Sequence, residues 1–92
     1  MTETETVENR RKRLRFRSWH RGTKEMDLLM GSFADAHLGE FGDRQLDRFE
    51  ALLDVPEPVV YDWILGRSRP PADYDHDVMK LLLAFRFRPP GR

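Results

Sequence analysis

The chain contains no cysteine. This removes disulfides, thiolate metal sites and thiol catalysis together, and it gives no reason to place the protein in an oxidising compartment. No apolar run has the length that a membrane crossing needs, and the first residues carry no apolar signal core. Glu3, Glu5 and Glu8 are out of keeping with an acid-poor, arginine-rich transit segment. The expectation is a mature cytoplasmic protein without membrane insertion.

Histidine is scarce. His20, His37 and His76 stand apart, with no second ligand at helical spacing, so no metal site is expected. His37 reads as a histidine at the edge of the core. Asp73-Tyr74-Asp75-His76-Asp77 has the alternating oxygens of a calcium loop, yet Val78 stands where that loop needs glycine and Ala84 where it needs a bidentate glutamate. Those acids read instead as caps of a last helix. No residue pattern nominates a nucleophile or an oxyanion site, and an enzyme is not expected. A sustained period-two alternation is also missing, which excludes strands.

What is present is a chain of 92 residues, 39% hydrophobic and 35% charged, the size of one small domain. Its formal net charge is zero, but the charge is unevenly spread. Arg10, Arg11, Lys12, Arg13, Arg15, Arg17 and Arg21 occur with no acid among them, whereas acids outnumber bases from Asp27 to Asp77. Such a split suggests an edge that meets something negatively charged. Phe16 and Trp19, interleaved with the arginines, offer a nucleic-acid alternative in which bases would stack on the rings, but no nucleic-acid-binding module is recognisable, so no nucleic-acid partner is expected and the segment reads as a supporting surface.

The periodicity predicts five helices. Glu8 to His20 is helix-compatible but lacks a clean apolar stripe: Phe16 and Trp19 share a face, Leu14 points nearly opposite, and Arg13, Arg17 and Arg21 fall on one side. Met26, Leu29, Met30, Phe33, Ala34, His37 and Leu38 follow the spacing of a buried helix face, with Glu25 and Asp27 in its first turn. Gly39 to Gly42 breaks the chain, and Asp43 is placed to cap a third helix with Leu46, Phe49, Leu52 and Leu53 inward. Glu57-Pro58 opens a fourth, Gly66 ends it, and Pro70-Pro71 belongs to a loop. Asp73 or Asp75 caps the fifth, with Val78, Leu81, Leu82 and Phe85 inward, and Pro89-Pro90 stops it. The expected core joins Phe33, Phe49, Leu53, Trp63, Ile64, Leu82 and Phe85. The result is an all-α bundle of five short helices spanning 9–88, with a disordered polar tail over 1–8 and a C-terminal tail over 89–92.

Between the first two helices lies Arg21-Gly22-Thr23-Lys24-Glu25. A glycine there marks a tight turn, because only glycine enters the left-handed region without steric cost. The local reading is a helix cap at Gly22, an acid favouring the next helix dipole at Glu25, and a solvated Arg21.

The order Arg21-Gly22-x-x-Glu25-x-Asp27-Leu28-Leu29, then Phe33, Leu46-x-x-Phe49-x-x-Leu52-Leu53, Asp62-Trp63-x-Leu65, Pro70 and Val78-Met79-x-Leu81-Leu82 resembles the FAD assembly factors of succinate dehydrogenase. The likeness covers roughly residues 13 to 87. It departs from the family at Asp54-Val55-Pro56-Glu57 and in the arginine-rich segment before the turn.

The resemblance implies a five-helix chaperone that binds the flavoprotein subunit of succinate dehydrogenase, or of fumarate reductase, and promotes covalent attachment of FAD to it. FAD would be the partner's cofactor, with none held stably by this chain, and the chain would be a monomer. Family function maps onto Arg21, Gly22 and Glu25, with Arg17 and Asp27 beside them as further partner-binding candidates. Arg21 would offer a forked donor to the partner, and Glu25 would pair with a basic group there. An antitoxin-like interaction module is the other protein-binding alternative.

Overall fold

The computed structural model describes residues 5–85 and places five α-helices and no strand among them. They are α1 (Val7–Ser18), α2 (Lys24–His37), α3 (Asp43–Asp54), α4 (Glu57–Ile64) and α5 (Asp77–Ala84), with short 3₁₀ turns at Leu38–Glu40 and Ala72–Tyr74. The expected all-α bundle of five short helices is therefore observed. The Pro89-Pro90 stop and the 89–92 tail lie outside the described residues.

Caps account for most of the boundaries, and three differ from expectation. Thr6, assigned above to a disordered tail, is the N-cap of α1: its side chain accepts from the Asn9 N–H at 3.1 Å. Gly42, not Asp43, precedes α3, and the Gln45 side chain accepts its N–H at 3.1 Å. His76 caps α5 in place of Asp73 or Asp75, with Nδ1 accepting from the Met79 N–H at 3.1 Å. A neutral imidazole nitrogen does there what a carboxylate oxygen does at an ordinary cap. Glu57 and Pro58 open α4 as expected, and Gly66 lies just past its end at φ +78°.

Phe33 of α2 sits at the centre of the core. Its ring stacks on Phe49 of α3 (centroids 5.7 Å apart), meets Phe85 edge-on (5.5 Å) and lies beside His37 (4.6 Å). His37 is thus the core-edge histidine its spacing suggested. Phe33, Phe49, Leu53, Trp63 and Leu82 are buried together, while Ile64 and Phe85 are only partly buried against them. Outside this centre, Trp63 of α4 packs on Tyr74 with centroids 5.4 Å apart.

The first helix is held differently. Leu14 is its one buried apolar side chain, Ser18 is buried with its hydroxyl donating to the Leu14 carbonyl, and Phe16 is 64% exposed. Polar contacts supply the rest of its attachment. Arg10 pairs with Asp47 (2.6 Å) and Glu50 (2.9 Å), Arg13 with Glu50 (2.8 Å) and Glu5 (2.9 Å), and Arg17 with Asp54 (2.8 Å), so one row of guanidinium groups runs along α3. Arg11 donates to the carbonyls of Leu38 and Phe41 at 2.9 Å, and Arg15 pairs with Asp35 of α2 at 3.1 Å. The segment that reads as a basic edge for an anionic partner is therefore largely engaged within the chain. The hydrogen bonds from Arg13 and Arg10 hold the Glu50 carboxyl below its ordinary range.

Trp19, just past α1, lies flat against α2 at Gly31. A Cβ at residue 31 would come within 2.2 Å of the indole ring. Gly31→Ala should therefore cost about 1–3 kcal/mol by overpacking, read by urea unfolding, with a shift in tryptophan emission as the ring is displaced.

The cap of α5 predicts a pH dependence. Burial, assisted by nearby Arg48, lowers the His76 pKa in the fold, so between the folded and unfolded values the native state binds fewer protons. The cap is fully stabilising above the unfolded value, roughly 6.5, and weakens as pH falls through it, levelling off below the folded value. His76→Asn keeps an acceptor without a titrating ring. The melting temperature of wild type should fall relative to that of His76→Asn as pH is lowered from neutral.

Candidate functional site

The turn between α1 and α2 is built from both of its sides. Thr23 is the N-cap of α2, with its hydroxyl accepting from the Met26 N–H at 3.3 Å. One turn later, Asp27 Oδ1 accepts the backbone N–H groups of Arg21 and, at 3.1 Å, Gly22. To bring both N–H groups onto one carboxylate the chain passes through φ +131° at Gly22, a conformation that side-chain-bearing residues rarely adopt. Gly22 is thus the residue of the turn itself rather than the C-cap of α1, which is Trp19.

Arg21 does not project into solvent. Its Nη1 donates to the Leu53 carbonyl at 2.6 Å and its Nη2 to the Val55 carbonyl at 3.2 Å. These acceptors lie at the C-terminal end of α3, where backbone carbonyls lack partners within the helix and the helix dipole favours a cation. Arg17 Nη2 donates to the same Leu53 carbonyl at 3.2 Å. The fork expected to face a partner is therefore closed onto the chain's own backbone. Burial holds the Arg21 guanidinium below its ordinary value, and the Glu57 carboxylate is the largest opposing influence.

Glu57 joins the site from α4. It approaches the turn closely, since a Cβ on Gly22 would lie 3.7 Å from Glu57 Oε2. Both Arg21 Nε and Glu57 Oε2 are buried without a hydrogen-bond partner. In front of them opens a cleft of about 370 Å³, lined by Thr23, Glu25, Met26, Glu57, Pro58 and Tyr61. Glu25 is exposed.

Of the five residues expected to bind a partner, all belong to this one corner, but they divide by role. Gly22 and Glu25 are presented at the surface, whereas Arg21 and Asp27 are engaged in holding the turn and Arg17 is bonded to Leu53 and Asp54 at the end of α3. Glu57 and Tyr61 had not been singled out. In the sequence Glu57 marks a helix start with Pro58 and the end of the Asp54–Glu57 departure from the family, and nothing local indicates that this start abuts Gly22.

Comparison with known proteins identifies the family to which the chain is similar. The family model described as Sdh5, flavinator of succinate dehydrogenase, matches residues 12–86. Succinate dehydrogenase assembly factor 2, mitochondrial, of Dictyostelium discoideum is 36% identical over 80 residues, covering 87% of this chain and 57% of its own length. FAD assembly factor SdhE of Acetobacter pasteurianus is 43% identical over 58 residues, 63% of this chain and 53% of its own. Succinate dehydrogenase assembly factor 2, mitochondrial, of Scheffersomyces stipitis is 44% identical over 61 residues, 66% of this chain and 41% of its own. The chain thus spans about half the length of the curated relatives it matches.

The division of roles is measurable as stability. Arg21→Ala leaves the Val55 carbonyl without its donor, the Leu53 carbonyl with Arg17 alone and Glu57 without its neighbouring cation, and should cost about 1–3 kcal/mol. Gly22→Ala should cost about 1–2 kcal/mol through its φ angle. Glu25→Ala should stay within about 0.5 kcal/mol of wild type. Urea unfolding of the three variants distinguishes this order from equal effects.

Proposed function

Because this chain belongs to the family of flavinators of succinate dehydrogenase, we propose that it is an assembly factor that binds the flavoprotein subunit of that enzyme and promotes covalent attachment of FAD. The same reading extends to the flavoprotein of fumarate reductase. The chain works as a cytoplasmic monomer and as a non-catalytic partner, and FAD remains the flavoprotein's cofactor.

The observation that carries this reading is the Gly22 turn. It is exposed, lacks a side chain and is fixed from behind by Asp27 and Arg21. A surface of this kind lets a partner's backbone approach closely without having to order a loop on binding. Attachment joins the flavin's 8α-methyl to a histidine of the flavoprotein, and the chemistry belongs to flavin and flavoprotein. What a small partner supplies is position. Holding the flavoprotein in a conformation where histidine and methyl carbon meet at reacting distance accelerates the step without contributing a reacting group.

In this arrangement Arg21 acts by holding the turn, Gly22 by allowing contact and Glu25 by pairing with a basic group of the partner. The test is complementation of cells lacking their own factor, read as covalent flavin fluorescence on the denatured flavoprotein band. Gly22→Arg should abolish flavinylation while the variant accumulates and melts as a folded protein, because a long side chain is wedged into the contact. Glu25→Ala should reduce flavinylation without changing the melt. Full complementation by Gly22→Arg at normal protein level would overturn the proposal.

A further inference from the structure

We infer that the cleft between α2 and α4 receives a lysine or arginine side chain of the flavoprotein partner, and that Glu25 and Glu57 together are its acceptors. This rests on the assembly-factor reading above and adds to it a residue and an occupant. Four observations converge. Glu25 and Glu57 border the cleft from two different helices, so one occupant can meet both carboxylates. Arg21 stands behind Glu57, but its two terminal nitrogens are taken by the Leu53 and Val55 carbonyls, and Glu57 Oε2 is left buried without a donor. Arg21 acts electrostatically on Glu57 from within the chain, whereas Glu25 is exposed and makes no ion pair among the described residues, so a cation entering the cleft would meet a carboxylate that none of their cations engages. The remaining lining is Met26, Pro58 and Tyr61 beside Thr23, an apolar and aromatic wall.

Lysine and arginine match that combination. Their methylene stems pack on apolar surface while the head reaches a polar group, and Tyr61 offers a ring on which a cation is favoured. An anionic or purely apolar occupant would face the two carboxylates unpaired. The cleft also adjoins Gly22, since Glu57 Oε2 lies 3.7 Å from where a Gly22 Cβ would be. A partner backbone lying on Gly22 thus has its neighbouring side chain at the cleft mouth.

The test measures binding of the purified full chain to the recombinant flavoprotein subunit at low and at physiological salt. Glu57→Gln, which keeps shape and removes charge, should weaken binding roughly 10- to 100-fold and flatten its salt dependence. Glu57→Asp should recover most of that loss, because the charge returns. Glu25→Gln should shift affinity and salt dependence in the same direction with an unchanged melt. Wild-type binding accompanied by Glu57→Gln and Glu25→Gln affinities within twofold of it would overturn the inference and leave the assembly-factor reading in place. Failure of the wild type to bind would overturn both. Should Glu57→Gln unfold, Glu25→Gln decides: a weakened, salt-insensitive complex supports the cleft as a cation site, and wild-type behaviour rejects it.

Discussion

The carbonyls at the end of α3 set the terms for everything around the turn. Val55 is followed by Pro56, so the chain after Asp54 is extended and the helix stops with its last acceptors unpaired. Leu53 and Val55 then need donors from elsewhere, and the donors that reach them are Arg17 and Arg21. A guanidinium suits this place for two reasons. Its planar fork bridges two acceptors, and its charge opposes the negative end of the helix. Fixing Arg21 fixes the residue next to it, and the positive φ at Gly22, open to glycine but not to other residues, is held because Asp27 accepts the same peptide N–H from the other side. The exposed part of the motif is therefore a by-product of a helix terminus being satisfied.

Much of this was legible in the sequence, and what was not has physical causes. Helices with a strong apolar stripe, α2 and α3, were readable because burial of one face dictates a 3.6-residue period. The first helix lacks the stripe, and its arginine row gave only the relative direction of Arg13, Arg17 and Arg21. Which acids they would meet depends on how α3 lies, which is not local information. The same limit hid Glu57, since its distance from Gly22 is set by how α4 docks and not by spacing along the chain. His76 was missed as a cap because three aspartates beside it are the usual residues for that task, while an imidazole serves only as a neutral acceptor.

The pairing along α1 also changes what kind of recognition the surface supports. Uncompensated arginines would give the protein a positive field reaching about a Debye length, ~8 Å at physiological ionic strength. With Arg10, Arg13, Arg15 and Arg17 each beside a carboxylate, that field is largely cancelled close to the surface. Long-range steering is then weak, and selectivity falls to short-range features: a bare backbone at Gly22, a carboxylate at Glu25, and the cleft behind them.

Stability and function meet in the same few atoms, and this bears on how loss of activity at the motif is to be understood. A small domain has only about 5–15 kcal/mol of total stability, so releasing the Arg21 fork removes a sizeable share of it. Arg21 can therefore fail by unfolding the corner, whereas Glu25, which is exposed, can fail only by losing a contact. Gly22 lies between the two, because any side chain strains its backbone and a long one also fills the contact surface. One short motif thus contains a structural residue, a recognition residue and one that is both, and equal loss of activity at the three would have three different origins.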